Sequence, residues 1–141
     1  MSNLVQFPNP SSRNQHSDVL VDEENHAALF FMRPEPRPCF TPQLLSELQE
    51  FKQEVIKRVE GEQQTGGRSN LRYAVVASAL PGAYNFGGDL NLFVRLIRDG
   101  DREGLREYAH NCVRVAHDFN VGFELPVTTI ALVEGRAQGG G

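Results

Sequence analysis

Two stretches, Tyr84-Asn85-Phe86-Gly87-Gly88-Asp89-Leu90 and Val133-Glu134-Gly135-Arg136-Ala137-Gln138-Gly139-Gly140-Gly141, decide how this chain is read. Each follows a short apolar run, and each is dense in glycine. Lacking a Cβ, glycine lets a backbone come close to a ligand or to another backbone. Amides at a helix N-terminus carry N–H groups with no intrahelical partner. Two such amides aimed at one point make an oxyanion hole, which stabilises the negative oxygen of a thioester enolate or tetrahedral intermediate. Taken singly, Gly87-Gly88-Asp89 is an ordinary turn with a helix cap, and a terminal triple glycine is a linker. The two in this order, with elements of regular length between them, are more specific.

Working outward, Tyr73-Ala-Val-Val-Ala-Ser-Ala79 ahead of the first loop is short, apolar and β-branched, as a buried strand is. Asp89 can cap a helix whose Leu90, Phe93, Val94 and Ile97 form the inner face, ending at Gly100. Asp101 can cap a second helix with Leu105, Tyr108, Ala109, Cys112, Ala116 and Phe119 on one stripe. Asn120 to Pro126 breaks it, and Val127 to Val133 reads as another buried strand. Upstream, Val19-Leu-Val21 and Ala27 to Phe31 flank a polar turn and predict a hairpin. Pro34-Glu-Pro-Arg-Pro38 must be an extended connector, because its prolines lack backbone donors. Thr41 then caps a helix with Pro42 in its first turn, Phe40 stapled to Leu45, and Leu44, Leu48, Phe51, Val55 and Val59 on one face to about residue 60. Residues 1–17 are polar and read as a flexible arm, leaving 18–141 as the folded part. The order of elements gives the α/β class.

Composition excludes more than it assigns. Apolar residues are 40% and charged residues 23% of the 141, the balance of a globular protein. No run approaches the roughly 20 apolar residues of a membrane span. A net charge of −4 argues against nucleic-acid binding. The start lacks the basic and apolar regions of a secretory signal, so the expected location is cytoplasmic. Cys39 and Cys112 show no ligand spacing and read as reduced, buried thiols. His110 and His117 lack a third ligand, so no metal is expected. The glycine loops lack the lysine of a phosphate-cradling loop, and no cofactor is indicated. Arg95, Arg98, Arg102 and Arg106 could dock an acidic carrier protein or a CoA phosphate, but the interleaved acids favour a solvated face.

The pattern Phe-Gly-Gly-Asp-Leu at 86–90, followed by Val-x-Gly-x-Ala-x-Gly-Gly-Gly at 133–141, resembles the crotonase (enoyl-CoA hydratase/isomerase) superfamily. Arg33-Pro34 ahead of Thr41-Pro42-Gln-Leu-Leu45 matches that family's opening segment. Asn85 to Phe93, Leu96 to Arg102 and His117-x-Phe119-x-Val-Gly122 are similar to one branch, the synthases of diffusible signal factor. The resemblance spans about 18–141 and is tightest from 84 onward. It implies a crotonase-like (ClpP/crotonase) spiral of strand–strand–helix units, incomplete at its C-terminus. It also implies dehydration of 3-hydroxyacyl thioesters and thioester hydrolysis, giving cis-2-unsaturated fatty acids. The alternatives are an enoyl-CoA hydratase/isomerase and a non-catalytic module that binds acyl chains or partners.

Carried over residue by residue, the resemblance implies oxyanion donors at the backbone N–H groups of Phe86 and Gly140. It places Cys39, Phe40, Ala83, Tyr84, Asn85, Gly87, Gly88, Asp89 and Gly139 along the substrate. The substrate is an acyl-CoA or acyl-carrier-protein thioester, with no cofactor, and the assembly is a homo-oligomer, a trimer or hexamer. In the family a glutamate follows the triple glycine by two residues, a position beyond Gly141, and Glu124 and Glu134 do not replace it. The expectation is therefore a chain inactive alone, with apolar faces exposed for elements that follow. A geometric expectation also follows: the strands at 73–79 and 127–133 lie side by side and parallel, and the Phe86 and Gly140 amides share one oxygen.

Overall fold

In a computed structural model, residues 4–6, 15–67 and 69–141 are described. The hairpin pairs β2 (Ser17–Asp22) with β3 (Ala27–Met32) in an antiparallel ladder. Preceding it, β1 (Leu4–Gln6) adds to the edge of β2. Residues 1–3 and 7–14 of the expected arm lie outside the described residues. The arm reading is corrected at Leu4–Gln6, which enter the sheet, and at Gln15–Ser17, which are tied to Glu47.

The helix α1 (Pro42–Gln64) starts as predicted, with Thr41 accepting from the Leu44 amide at 3.1 Å. It runs past Gly61, one turn beyond the expected stop. Leu44, Leu48, Phe51, Val55 and Val59 are all buried on one face, against β3 and β4 (Tyr73–Ser78). Phe51 meets Phe30 at 5.4 Å and Phe123 at 6.5 Å between ring centroids. β3, β4 and β6 (Thr128–Ala131) are parallel neighbours, so the sheet order is β1-β2-β3-β4-β6. The side-by-side parallel strands are thus present, though each is shorter than the apolar run suggested. Between them come β5 (Ala83–Asn85), α2 (Leu90–Arg98), α3 (Arg102–Asn120) and a single 3-10 turn at Gly122–Glu124.

The inner face of α2 differs from the expectation. Leu90 is 72% exposed and Ile97 66%, whereas Leu92 and Phe93 pack on the core. A nine-residue helix has too few turns for periodicity alone to choose between adjacent apolar rows. On α3, Tyr108 and Val115 are buried, but Ala109 and Ala116 of the predicted stripe are exposed and border an open apolar groove. Ile130, Leu132 and Val133 beside that groove are also exposed.

Glu47 is the one buried carboxylate on α1. It accepts from the Gln15 amide at 3.0 Å, the His16 amide at 3.2 Å, the Ser17 hydroxyl at 2.5 Å and the Gln43 side chain at 2.9 Å. These bonds anchor the start of β2. Glu47→Ala strands the buried Ser17 hydroxyl and two part-buried amides and is expected to cost about 2–3 kcal/mol, read by urea unfolding. Glu47→Gln, which keeps one acceptor oxygen, should lose less; equal losses would show that volume, not hydrogen bonding, matters.

Candidate functional site

The two glycine loops meet. A second, two-stranded sheet pairs β5 in parallel with β7 (Arg136–Ala137), a strand the sequence pattern did not reveal. The Arg136 amide donates to the Gly82 carbonyl and the Gln138 amide to the Asn85 carbonyl, both at 3.0 Å. Beyond this ladder, a Cβ on Gly87 would lie 2.5 Å from the Gly140 nitrogen, and Gly87 has φ +85°. Only glycine satisfies both conditions. A Cβ on Gly139, also at positive φ, would come 3.2 Å from the Phe86 carbonyl oxygen.

Local hydrogen bonds shape the first loop. Asn85 is fully buried, and its Oδ1 accepts from the Gly87 amide at 2.8 Å, closing an Asx turn. Asp89 caps α2 through the Leu92 amide at 3.1 Å. The Phe86 amide donates to the Pro38 carbonyl at 2.6 Å. It is therefore committed to the connector, and the expectation of Phe86 as an oxyanion donor is corrected. The Phe86 ring instead lies under the Arg136 guanidinium, 5.7 Å from its centroid.

The free amide is two residues on. The Gly87 carbonyl accepts from the Phe40 amide at 2.8 Å. In a trans peptide the C=O and N–H point opposite ways, so the Gly88 N–H faces away from Phe40. Gly88 and Gly140 have no backbone hydrogen-bond partner for their amides among the described residues. Both line an apolar cavity of about 880 Å³ bounded by Leu48, Val76, Tyr84, Phe119 and Ile130. A turn closed by the Gly141 amide on the Gln138 carbonyl at 2.9 Å presents Gly140 there.

The other expected residues divide. Phe40 and Tyr84 line the cavity, and the Tyr84 hydroxyl reaches the Val76 carbonyl at 3.4 Å. Ala83 and Asn85 build the loop from behind, in the ladder with Arg136 and Ala137. Cys39 is buried but does not line the cavity. Burial pushes its thiol up, with the Asp89 carboxylate adding to the rise, and burial likewise raises Cys112. Both thiols should alkylate with iodoacetamide at pH 7 more slowly than free cysteine, and at the free rate in urea. A rapid native reaction at Cys39 would contradict that packing.

Tyr108 was legible only as part of a helix stripe, yet it reaches the loop. Its hydroxyl donates to the Phe40 carbonyl at 2.6 Å and accepts from the Asp89 amide at 2.8 Å. Burial holds that hydroxyl far above the ordinary tyrosine range, so it stays protonated. Arg106 pairs with Glu103 at 3.1 Å on an exposed surface, in line with a solvated arginine row. Glu124 and Glu134 are exposed, and among the described residues no carboxylate lines the cavity. No group of three histidine, cysteine or acidic residues among them could hold a metal ion. No helix among them is long and apolar enough to cross a membrane.

Neither a protein-family model nor a curated protein matches the sequence. Solved structures do. Pseudomonas aeruginosa DspI matches 95% of this chain with a TM-score of 0.69 at 21% identity, over 47% of its own chain. An enoyl-CoA hydratase from Bacillus anthracis matches 90% with a TM-score of 0.62 at 23% identity, over 43% of its chain. One from Geobacillus kaustophilus matches 94% with a TM-score of 0.65 at 15% identity, over 41%. The chain spans less than half the length of these structures, and over the span it shares with them it has the crotonase fold.

Proposed function

We propose that this chain carries the oxyanion hole of a crotonase-type acyl-thioester enzyme, with the Gly88 and Gly140 amides as its donors. The observation that carries this reading is the meeting of two glycine loops at the wall of an apolar cavity, each leaving one amide unused. Donors fixed before the reaction stabilise the developing oxyanion without reorganisation.

Dehydrating a 3-hydroxyacyl thioester means removing the proton beside the carbonyl and protonating the departing hydroxyl. An enolate held by two amides makes the first step accessible, and a carboxylate pair performs both proton transfers. Among the described residues no carboxylate lines the cavity, so this chain alone is expected to show no turnover. Proton transfer and carbonyl polarisation require no cofactor, so the acyl-CoA or acyl-carrier-protein thioester is the only small partner in this reading. A cytoplasmic homo-oligomer, trimer or hexamer, goes with it, and the exposed Leu90, Ile97 and Val113 supply apolar surface for subunit contacts.

Within the superfamily we assign the signal-factor synthase reaction, on the likeness of residues 84–122 to that branch. The second reading is an ordinary enoyl-CoA hydratase, favoured by the fold matches to such enzymes. Mass spectrometry of products from the complete protein given a 3-hydroxydodecanoyl thioester separates them. Free 2-unsaturated acid is the expected product. Products that remain thioester-linked would sink the synthase assignment and leave the hydratase. Thioester bound without turnover would instead identify a non-catalytic module.

A further inference from the structure

The Gly88 peptide units are held on both sides, and the two clamps share one residue. On the N-terminal side the Gly87 carbonyl is fixed by the Phe40 amide. On the C-terminal side the Asp89 amide is fixed by the Tyr108 hydroxyl, which in turn bonds the Phe40 carbonyl. Phe40 and Gly88 also form an isolated parallel backbone bridge. A side chain from α3, 68 positions along the chain from Phe40, ties the Phe40 carbonyl to the Asp89 amide. The hydroxyl can serve both because a phenol donates one hydrogen bond and accepts others.

The ring beneath is set by packing of its own. Phe93 meets Tyr108 edge-on, with centroids 5.2 Å apart at 87°, and a Cβ on Gly88 would lie 3.1 Å from the Phe93 ring and 3.8 Å from the Tyr108 oxygen. Gly88 therefore rests on this aromatic pair. A side chain at position 88 would push the loop off it.

We propose that Tyr108 is a positioning residue for the oxyanion loop, its hydroxyl fixing the direction of the Gly88 N–H by bridging the Phe40 carbonyl and the Asp89 amide. The inference rests on the proposed oxyanion role of Gly88 and extends it to a residue on the cavity wall that acts through the loop. Tyr108→Phe keeps the ring and its contact with Phe93 while removing the bridge. It takes the phenol's bonds from the Asp89 N–H and the Phe40 carbonyl in a partly buried site, so the loop gains freedom without a cavity opening in the core.

Two measurements on wild type and Tyr108→Phe test this. In amide hydrogen exchange, Asp89 should exchange at least about tenfold faster in the variant, with the amides of β3 and β4 unchanged. In absorption, a conjugated probe, 4-(dimethylamino)cinnamoyl-CoA, should shift to the red on binding wild type, since two donors polarise its thioester carbonyl. The variant should bind that probe within about threefold of wild type but lose most of the shift. Incorporating 3-fluorotyrosine at 108, which restores a hydroxyl, should restore both readouts. Unchanged Asp89 exchange, or a full shift in the variant, overturns the proposal. Faster exchange spread over β3 and β4 also overturns it, since the role would then be general stability. If wild type itself gives no red shift, the oxyanion reading fails, and Asp89 exchange alone decides whether Tyr108 clamps the loop.

Discussion

Gly87→Ala is expected to cut turnover of an acyl thioester by the complete protein about 100-fold or more, with helix and strand content unchanged. The added Cβ would meet the Gly140 nitrogen at 2.5 Å, the Gln138 oxygen at 3.1 Å and the Gly140 Cα at 3.3 Å. All three are backbone atoms, which cannot rotate aside as a side-chain tip can. Relief requires one loop to move off the other, separating the amides proposed to share the oxyanion. The backbone itself, at φ +85°, adds about 1 kcal/mol of strain for any L side chain. Gly100→Ala is the matched control. It has φ +65° but nothing within 4 Å of its added Cβ, so it carries similar strain without the collision. Steady-state rates for both variants, with circular dichroism to confirm folding, check the expectation. Wild-type rates for Gly87→Ala would show that contact between the loops is not needed for the chemistry.

Phe51→Ala should be the most damaging single change to stability, at about 3–5 kcal/mol, measured by equilibrium urea unfolding. Phe51 is 2% exposed and links three parts of the molecule. Its ring tilts against Phe30 of β3 and stands edge-on to Phe123, which in turn meets Phe119 of α3 at 4.9 Å. Truncation removes the hub of that chain and leaves a hole where α1, the sheet and the 3-10 turn converge. Phe123 has φ +57°, so its backbone is already strained and poorly able to close in. A loss below about 1.5 kcal/mol would show that these rings collapse together after all. Near-ultraviolet signals from the aromatic cluster should fall in the same variant.

Long elements and capped ends were legible in the sequence because each depends on residues close to one another in the chain. The cap at Thr41, the apolar face of α1, the hairpin at 17–32 and the caps at Asp89 and Asp101 all belong to this kind. The glycine loops could be read too, since positive φ and close approach leave a compositional mark. The short strands β5 and β7 carry no such mark, because two or three residues cannot show a period. Their pairing exists only after parallel β4 and β6 bring the loops together. The choice of donor was likewise beyond the sequence. Phe86, Gly87 and Gly88 are adjacent amides of similar local character, and what distinguishes them is their acceptors. Pro38 takes the first and the Asn85 side chain the second, while the third, on a residue lining the cavity, has no backbone partner among the described residues. Of these only the Asn85 bond is local. Tyr108 makes the same point from α3: its place in an apolar stripe is set by helix period, but its bonds to Phe40 and Asp89 are set by the packing of that helix on the connector. The long helices, the longer strands and the glycine loops follow from the sequence alone, because those choices are made by backbone preference and burial within each segment. Only the tertiary structure decided which amide is free, because a hydrogen bond is assigned by whichever partner the fold brings within 3 Å.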